Sequence, residues 1–245
     1  MSFLTDIVAN PAGYLDLNLV QFRSRCPLNP GTTGTFVVKA DNTAHVRYRT
    51  GTAFLAWGNK KADGRLFEVS YQKPGEPSPT GNFESFDAIW SGYAGSKATH
   101  CTLTGGNGGP DVMFTPILDG CTVTYVSLAG GGMKFGHYNL KDTTDPVVAN
   151  QPTLAGPEMV KAAKANYGNH NPAVLSKEYY YSKAKRNSST TGMKRTTTNV
   201  IGVRVGGHWR VFAQYVEPKG VGAVQTFQIR GVEELTNGTC LIDSV

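Results

Sequence analysis

The sequence predicts a mostly β protein of the α+β class, in which two sheets form a sandwich and one or two helices pack outside them. The first observation behind this prediction is a series of short segments rich in β-branched and aromatic residues, separated by turns drawn from 29 glycines. The second is the hairpin pattern around residues 206–207. The third is that only one segment, at residues 157–167, has a clear helical pattern. The length of 245 residues suits one domain, which we take to span residues 1–245.

Strand-like segments dominate the first third of the chain. They alternate apolar and polar residues or form short apolar runs, and they lie at residues 15–20, 35–39, 45–49, 53–57 and 66–71. Proline and glycine are frequent in residues 73–81, which predicts a surface loop, either a plain connection, which we favour, or a mobile flap.

The middle of the chain has the pattern of a hairpin followed by a helix. Residues 122–126 and 133–138 have strand composition, and residues 129–132 are an alanine and three glycines that predict a turn. In the helix at 157–167, Pro157 suits the first turn and Gly168 suits the position after the last turn.

The C-terminal third returns to sheet. Residues 199–205 and 208–216 flank Gly206-Gly207, and this is the strongest hairpin signal in the chain. Residues 223–229 predict a further strand.

The formal net charge of +6 has its clearest cluster in residues 183–195, which predict an exposed, mobile loop. Its basic residues are Lys183, Lys185, Arg186, Lys194 and Arg195. Because no aromatic residues interleave with them and no nucleic-acid motif is present, we do not expect nucleic acid as a partner.

Further sequence features indicate where the protein is made and whether it holds a metal or associates with a membrane. The sequence contains no run of about 18 apolar residues, so we expect no transmembrane helix. The N-terminus lacks the pattern of a secretory signal. The four cysteines, Cys26, Cys101, Cys121 and Cys240, have no zinc-site spacing, so we expect free thiols and no metal. We expect a monomer made in a reducing cytoplasm, with no membrane association.

Cys121 and His137 are the candidate nucleophile and base. They lie sixteen residues apart, on either side of the glycine turn. If the turn centres near Ala129, they lie directly opposite each other, with Cβ atoms about 4.5–5.5 Å apart. A shift of the turn centre by one residue would move the pairing by two positions.

An imidazole beside a thiol can take its proton and stabilise the thiolate. The base needs a third group to orient it, for which Thr115, six residues before the cysteine, is the main candidate and Asp111 or Asp142 are alternatives. Gly120 lets the backbone approach a substrate, as amide donors for an oxyanion require.

Thr115, Gly120, Cys121 and His137 together resemble the glutamine deamidase toxins. That group includes Burkholderia lethal factor and the catalytic domain of cytotoxic necrotizing factors, and the resemblance extends to the chemotaxis receptor glutamine deamidases. It covers about thirty of the residues, from Val112 to Asp142. Asp119, where the toxins carry serine, and Pro116, directly after the threonine, depart from the family pattern.

The resemblance implies a catalytic domain that hydrolyses a side-chain amide without metal or organic cofactor. Cys121 would attack a glutamine of a target protein, and His137 would pass the thiol proton to the leaving ammonia. It also implies a bacterial toxin or effector, made in the bacterial cytoplasm and exported to act in a target cell.

Other functions fit the same residues. A transglutaminase would pass the acyl group to an amine, and a cysteine peptidase would cleave the backbone, both with the same Cys121–His137 pair. A non-catalytic β-sandwich binding protein or inactive effector would instead bury Cys121 as an inert thiol.

Overall fold

A computed structural model gives the fold of the chain. The structure describes residues 2–22, 26–48, 64–77, 80–92, 98–118, 120–139, 159–161, 163–167, 170–176, 179–180, 197–219, 226–238 and 240–241. The predicted strand at 53–57 and the predicted basic loop at 183–195 lie outside these residues. Among the helices of the described ranges, none is long and apolar enough to cross a membrane.

The described residues form two sheets and two short N-terminal helices. The helices are α1 (Phe3–Ala9) and α2 (Pro11–Leu17). The strands are β1 (Leu19–Phe22), β2 (Thr32–Tyr48), β3 (Gly64–Tyr71), β4 (Phe83–Trp90), β5 (Ala98–Leu103), β6 (Val112–Phe114), β7 (Thr122–Ser127), β8 (Met133–Tyr138), β9 (Ala173–Leu175), β10 (Thr197–Val205), β11 (His208–Lys219), β12 (Thr226–Leu235) and β13 (Cys240–Leu241). A 3-10 turn at Ala129–Gly131 joins β7 to β8.

The larger sheet has the strand order β1-β3-β2-β12-β11-β10-β6-β4, and it closes on itself because β4 also pairs with β2. One end of β2 pairs with β4, from Thr32 to Lys39. The other end pairs with β12, from His45 to Tyr48. The resulting ring encloses an aromatic core to which Phe22, Phe36, Phe86, Trp90, Phe114 and Phe212 contribute.

The smaller sheet has the order β13-β9-β7-β8-β5 and packs against β10 and β11 of the larger sheet. Val211, Ala213 and Tyr215 contribute to the core between the sheets, whereas Phe212 belongs to the core inside the ring. Alternate residues of β11 therefore bury against different layers, as the pleat of a strand requires. The predicted mostly β, two-sheet fold is confirmed.

Most predicted strands within the described residues are confirmed, and so is the middle of the predicted helix. Residues 159–161 and 163–165 are helical. Met159, Ala163 and Tyr167 are buried together with Val126 and Tyr138 on the outer face of the smaller sheet. This helix therefore packs on the outside of the two-sheet sandwich, as predicted.

The prediction of a strand over residues 15–20 was wrong in its first half, because α2 extends to Leu17. The side chain of Asn10 accepts a hydrogen bond from the Gly13 amide at 3.2 Å, and Pro11 follows as the first helical residue. Leu15 and Leu19 are both fully buried, so the same apolar spacing fits one turn of helix and an alternating strand.

Glu84 of β4 fastens α1 to the larger sheet. Its carboxylate accepts hydrogen bonds from the Ser2 hydroxyl and the Phe3 amide, both at 2.6 Å, and from the Leu4 amide at 3.0 Å. An acceptor at this position satisfies amides that have no partner within the helix. Its negative charge also complements the positive end of the helix dipole.

We expect Glu84→Gln to lower the free energy of unfolding by about 1–2 kcal/mol, because the neutral amide loses the charge and one acceptor oxygen. Urea unfolding followed by far-UV circular dichroism measures this change. The matched control is Asp87→Asn on the same strand, where the exposed carboxylate accepts from the Thr35 hydroxyl at 3.0 Å. Equal destabilisation by both variants would contradict the capping role of Glu84.

Candidate active site

The candidate site residues lie on and beside the connection that leads from the larger sheet to the smaller one. After β6, the chain continues alongside β10, where Leu118 and Thr198 exchange backbone hydrogen bonds of 2.8 and 3.3 Å. It then crosses to the start of β7, directly after Cys121. Thr115 therefore lies against the larger sheet, and Cys121 lies at the entry to the smaller sheet.

The predicted register of the β7–β8 hairpin was wrong by one residue in its turn centre. His137 pairs with Val123, and Ser127 pairs with Met133, so the turn centres on Gly130 rather than Ala129. Cys121 lies two residues before Val123, in a diagonal position relative to His137. Diagonal neighbours have Cα atoms about 7–8 Å apart, within reach of long side chains.

The cause of this shift lies in the turn. Gly130 and Gly131 both adopt positive φ angles, of 69° and 79°. The Leu128 amide bonds to the Gly132 carbonyl at 2.8 Å and closes the loop one residue later than predicted. A Cβ on Gly131 would lie 2.4 Å from the Gly207 carbonyl oxygen, so close packing against the neighbouring hairpin also favours this register.

The candidate pair lies on the buried side of the smaller sheet. Cys121 and Val123 belong to the core between the sheets, as does Phe135. His137 is two residues from Phe135 on β8 and so faces the same side. Cys121 is 6% exposed and His137 is 1% exposed.

Burial lowers the pKa of His137 from its ordinary value to about 3. The imidazole is therefore neutral at pH 7 and keeps one nitrogen able to accept a proton. A preformed pair of imidazolium and thiolate would place two charges in an apolar core, which is unfavourable. The buried environment therefore favours the neutral imidazole of His137.

Thr115 is buried, and its hydroxyl is directed at the backbone of the larger sheet. It is 3.2 Å from the Val200 carbonyl and 3.0 Å from the Pro116 carbonyl. In this structure the hydroxyl therefore donates its single proton to one of these two backbone carbonyls. Asp111, an alternative orienting group, forms an ion pair with Arg204 at 2.9 Å, and Asp142 lies outside the described residues.

Gly120 and Cys121 form a tight bend that is held by a residue the sequence did not point to. Gly120 has a φ angle of 103°, which favours glycine. Its amide donates to the Tyr180 hydroxyl at 2.8 Å, and that hydroxyl donates to the Cys121 carbonyl at 3.0 Å. In this structure the Gly120 amide, predicted as an oxyanion donor, is used to hold the bend.

The opposite face of the smaller sheet carries a separate polar cluster. The Nε2 atom of His100 lies 2.7 Å from the Tyr138 hydroxyl, and the Thr124 hydroxyl lies 2.7 Å from that of Tyr167. The Lys134 amine lies 4.5 Å from the centre of the Tyr167 ring. These contacts attach the segment around Tyr167 to the sheet, in keeping with a structural role for His100.

No group of three or more His, Cys, Asp or Glu side chains within the described ranges is arranged to hold a metal ion. Compared with known proteins, the sequence matches no protein-family model, and no curated protein matches it. The resemblance to glutamine deamidase toxins therefore rests on Thr115, Gly120, Cys121 and His137 alone.

Proposed function

We propose that this protein is a cysteine-dependent protein glutamine deamidase of the bacterial toxin or effector type. The observation that carries the proposal is that Cys121, directly before β7, belongs to the core between the sheets, and that His137 on β8 faces the same side as Phe135 of that core. Thr115, the third residue of the resemblance, lies buried on the connection that leads to Cys121.

The chemistry follows from a neutral pair. The sulfur of Cys121 attacks the carboxamide carbon of a target glutamine, and its proton passes to the neutral imidazole of His137. The imidazolium returns this proton to the amide nitrogen, which leaves as ammonia. Water then hydrolyses the thioester, releasing glutamate and the free thiol.

The substrate is a protein that bears an accessible glutamine. Conversion to glutamate adds one negative charge and replaces a hydrogen-bond donor with an acceptor. A single conversion can therefore disable a regulatory glutamine. We place the enzyme in the bacterial cytoplasm when it is made and in a target cell when it acts.

The test is to incubate the protein with a cell extract and to map conversion of glutamine to glutamate by mass spectrometry, together with ammonia release. We expect Cys121→Ser to lower the conversion rate by at least about 10³-fold, because the nucleophile is removed. Cys26→Ser, which removes a half-buried thiol outside the site, is the matched control and should retain wild-type activity. Equal conversion by the wild type and Cys121→Ser would overturn the proposal.

A second candidate is a non-catalytic binding protein, which the low exposure of Cys121 favours. It predicts that neither ammonia nor glutamate forms with any extract. Incorporation of a labelled amine, or new peptide termini, would instead indicate the transglutaminase or the cysteine peptidase.

A further inference from the structure

We infer that Tyr180 is a positioning residue for the Cys121 nucleophile, an inference that rests on the proposed function. Tyr180 is fully buried in the core between the sheets, together with Cys121. It lies fifty-nine residues beyond Cys121, in the segment that follows β9.

The Tyr180 hydroxyl holds both ends of the Gly120–Cys121 dipeptide. It accepts from the Gly120 amide at 2.8 Å and donates to the Cys121 carbonyl at 3.0 Å. These two backbone groups lie on either side of the Cys121 Cα atom. Fixing both of them fixes the direction in which the Cys121 side chain leaves the backbone.

The two hydrogen bonds from Tyr180 are needed because Gly120, directly before Cys121, is a glycine. The φ angle of 103° at Gly120 is one that other residues rarely adopt, and glycine also loses the most conformational freedom on folding. A bend built on glycine has little intrinsic stiffness, so the two hydrogen bonds supply it.

Tyr180 is itself held in place by its neighbours. Leu175 of β9 pairs with Val123 of β7, which brings the following segment beside the start of β7. The Tyr179 amide bonds to the Ser176 hydroxyl at 3.2 Å. The Tyr179 hydroxyl lies 3.1 Å from the Glu233 carboxylate on β12. The tyrosine pair thus attaches the nucleophile bend to both sheets.

Catalysis requires the attacking atom within a few tenths of an ångström of its productive position. Tyr180→Phe keeps the ring and its packing but removes both hydrogen bonds. We therefore expect it to lower kcat by at least about 10-fold while KM stays within about 2-fold, the pattern of a lost positioning effect. The matched control is Tyr125→Phe, which removes a hydroxyl of the same core that donates to the Trp209 carbonyl at 3.0 Å and leaves both hydrogen bonds of the Gly120–Cys121 bend in place.

Two kinetic outcomes would overturn the inference. An unchanged kcat in Tyr180→Phe would mean that the bend needs no hydroxyl. A raised KM with an unchanged kcat would mean that Tyr180 contacts the substrate instead of positioning the nucleophile.

A second readout does not depend on activity. Iodoacetamide labelling of Cys121 relative to Cys101 compares two thiols of similar exposure, 6% and 5%, in the same core. We expect Tyr180→Phe to raise this ratio by at least about 10-fold, because only the bend is loosened. An unchanged ratio overturns the positioning role. If the ratio rises in Tyr180→Phe but the wild-type protein deamidates no target, the proposed function is overturned. The hydrogen bonds by which Tyr180 positions Cys121 are then still supported.

Amide hydrogen exchange of the wild-type protein tests the hydrogen bond between the Gly120 amide and the Tyr180 hydroxyl, even if Tyr180→Phe does not fold. The Gly120 amide should exchange at least about 100-fold more slowly than that of Gly130 at the exposed turn, because it is bonded to the hydroxyl of the buried Tyr180. Equal rates would overturn the inference.

Discussion

Gln214→Leu is expected to lower the free energy of unfolding by about 3–5 kcal/mol, because it leaves several buried polar groups without their partner. Gln214 is fully buried on β11. Its amide donates to the carbonyls of Leu15 and Asn18 at 2.6 and 2.7 Å, and its oxygen accepts from the Val20 amide at 3.3 Å. Leucine has a similar volume, so lost hydrogen bonds rather than a cavity dominate the change.

The same side chain joins three elements. Its oxygen also accepts from the Asn199 side chain, its cross-strand neighbour on β10, at 3.3 Å. The end of α2 and the start of β1 are thereby tied to the central hairpin of the larger sheet. We expect the loss to appear as earlier exposure of the α2–β1 segment in hydrogen exchange, as well as a lower midpoint in urea.

The control for this prediction is Gln228→Leu, a half-buried glutamine on the adjacent strand β12. It should change the free energy of unfolding by no more than about 0.5 kcal/mol, as substitutions away from buried networks do. Similar losses in both variants would show that the network around Gln214 contributes little.

Local sequence signals predict the two hairpins to different accuracy, and the reason lies in their turns. Gly206 and Gly207 both have positive φ angles, of 57° and 81°, and Val205 pairs with His208. A two-residue turn of this kind allows one register. The run Ala129-Gly130-Gly131-Gly132 allows several, and packing of Gly131 against the other hairpin selects one that lies one residue away from the predicted register.

Residues that depend on distant contacts escaped prediction. The cap that Glu84 provides for α1 joins residues about eighty positions apart, and the bend at Cys121 depends on Tyr180. Neither pairing leaves a periodic or spacing signal in the chain. Cys121 and His137 can be recognised as a candidate pair because their residue types and the turn between them are local, whereas the contacts that hold the bend at Cys121 come from distant residues.

His137 is expected to make the folded state less stable in acid. Its pKa is about 3 in the folded state and about 6.5 in the unfolded chain. Above pH 6.5 the imidazole is neutral in both states and contributes nothing. Between pH 6.5 and pH 3 only the unfolded state binds the proton, so stability falls as the pH falls, by up to about 1.4 kcal/mol per pH unit. At pH 4 the loss amounts to roughly 3 kcal/mol.

The measurement is urea unfolding from pH 8 to pH 4 for the wild type and for His137→Gln. Carboxylates titrate in the same range, so the informative quantity is the difference between the two proteins. That difference should shift by roughly 3 kcal/mol in favour of the variant on going from pH 8 to pH 4. His208→Gln, which removes an exposed histidine on β11, is the matched control.

A constant difference between the wild type and His137→Gln would contradict the burial of this imidazole as a neutral group. The result also bears on the proposed reaction. A base with a pKa near 3 is already in its proton-accepting form throughout the neutral range. Activity lost between pH 6 and pH 4 should therefore follow the loss of folded protein rather than protonation of His137 in the folded enzyme. Inactivation near pH 6.5 with the fold intact would mean that the imidazole is exposed to water in the active state.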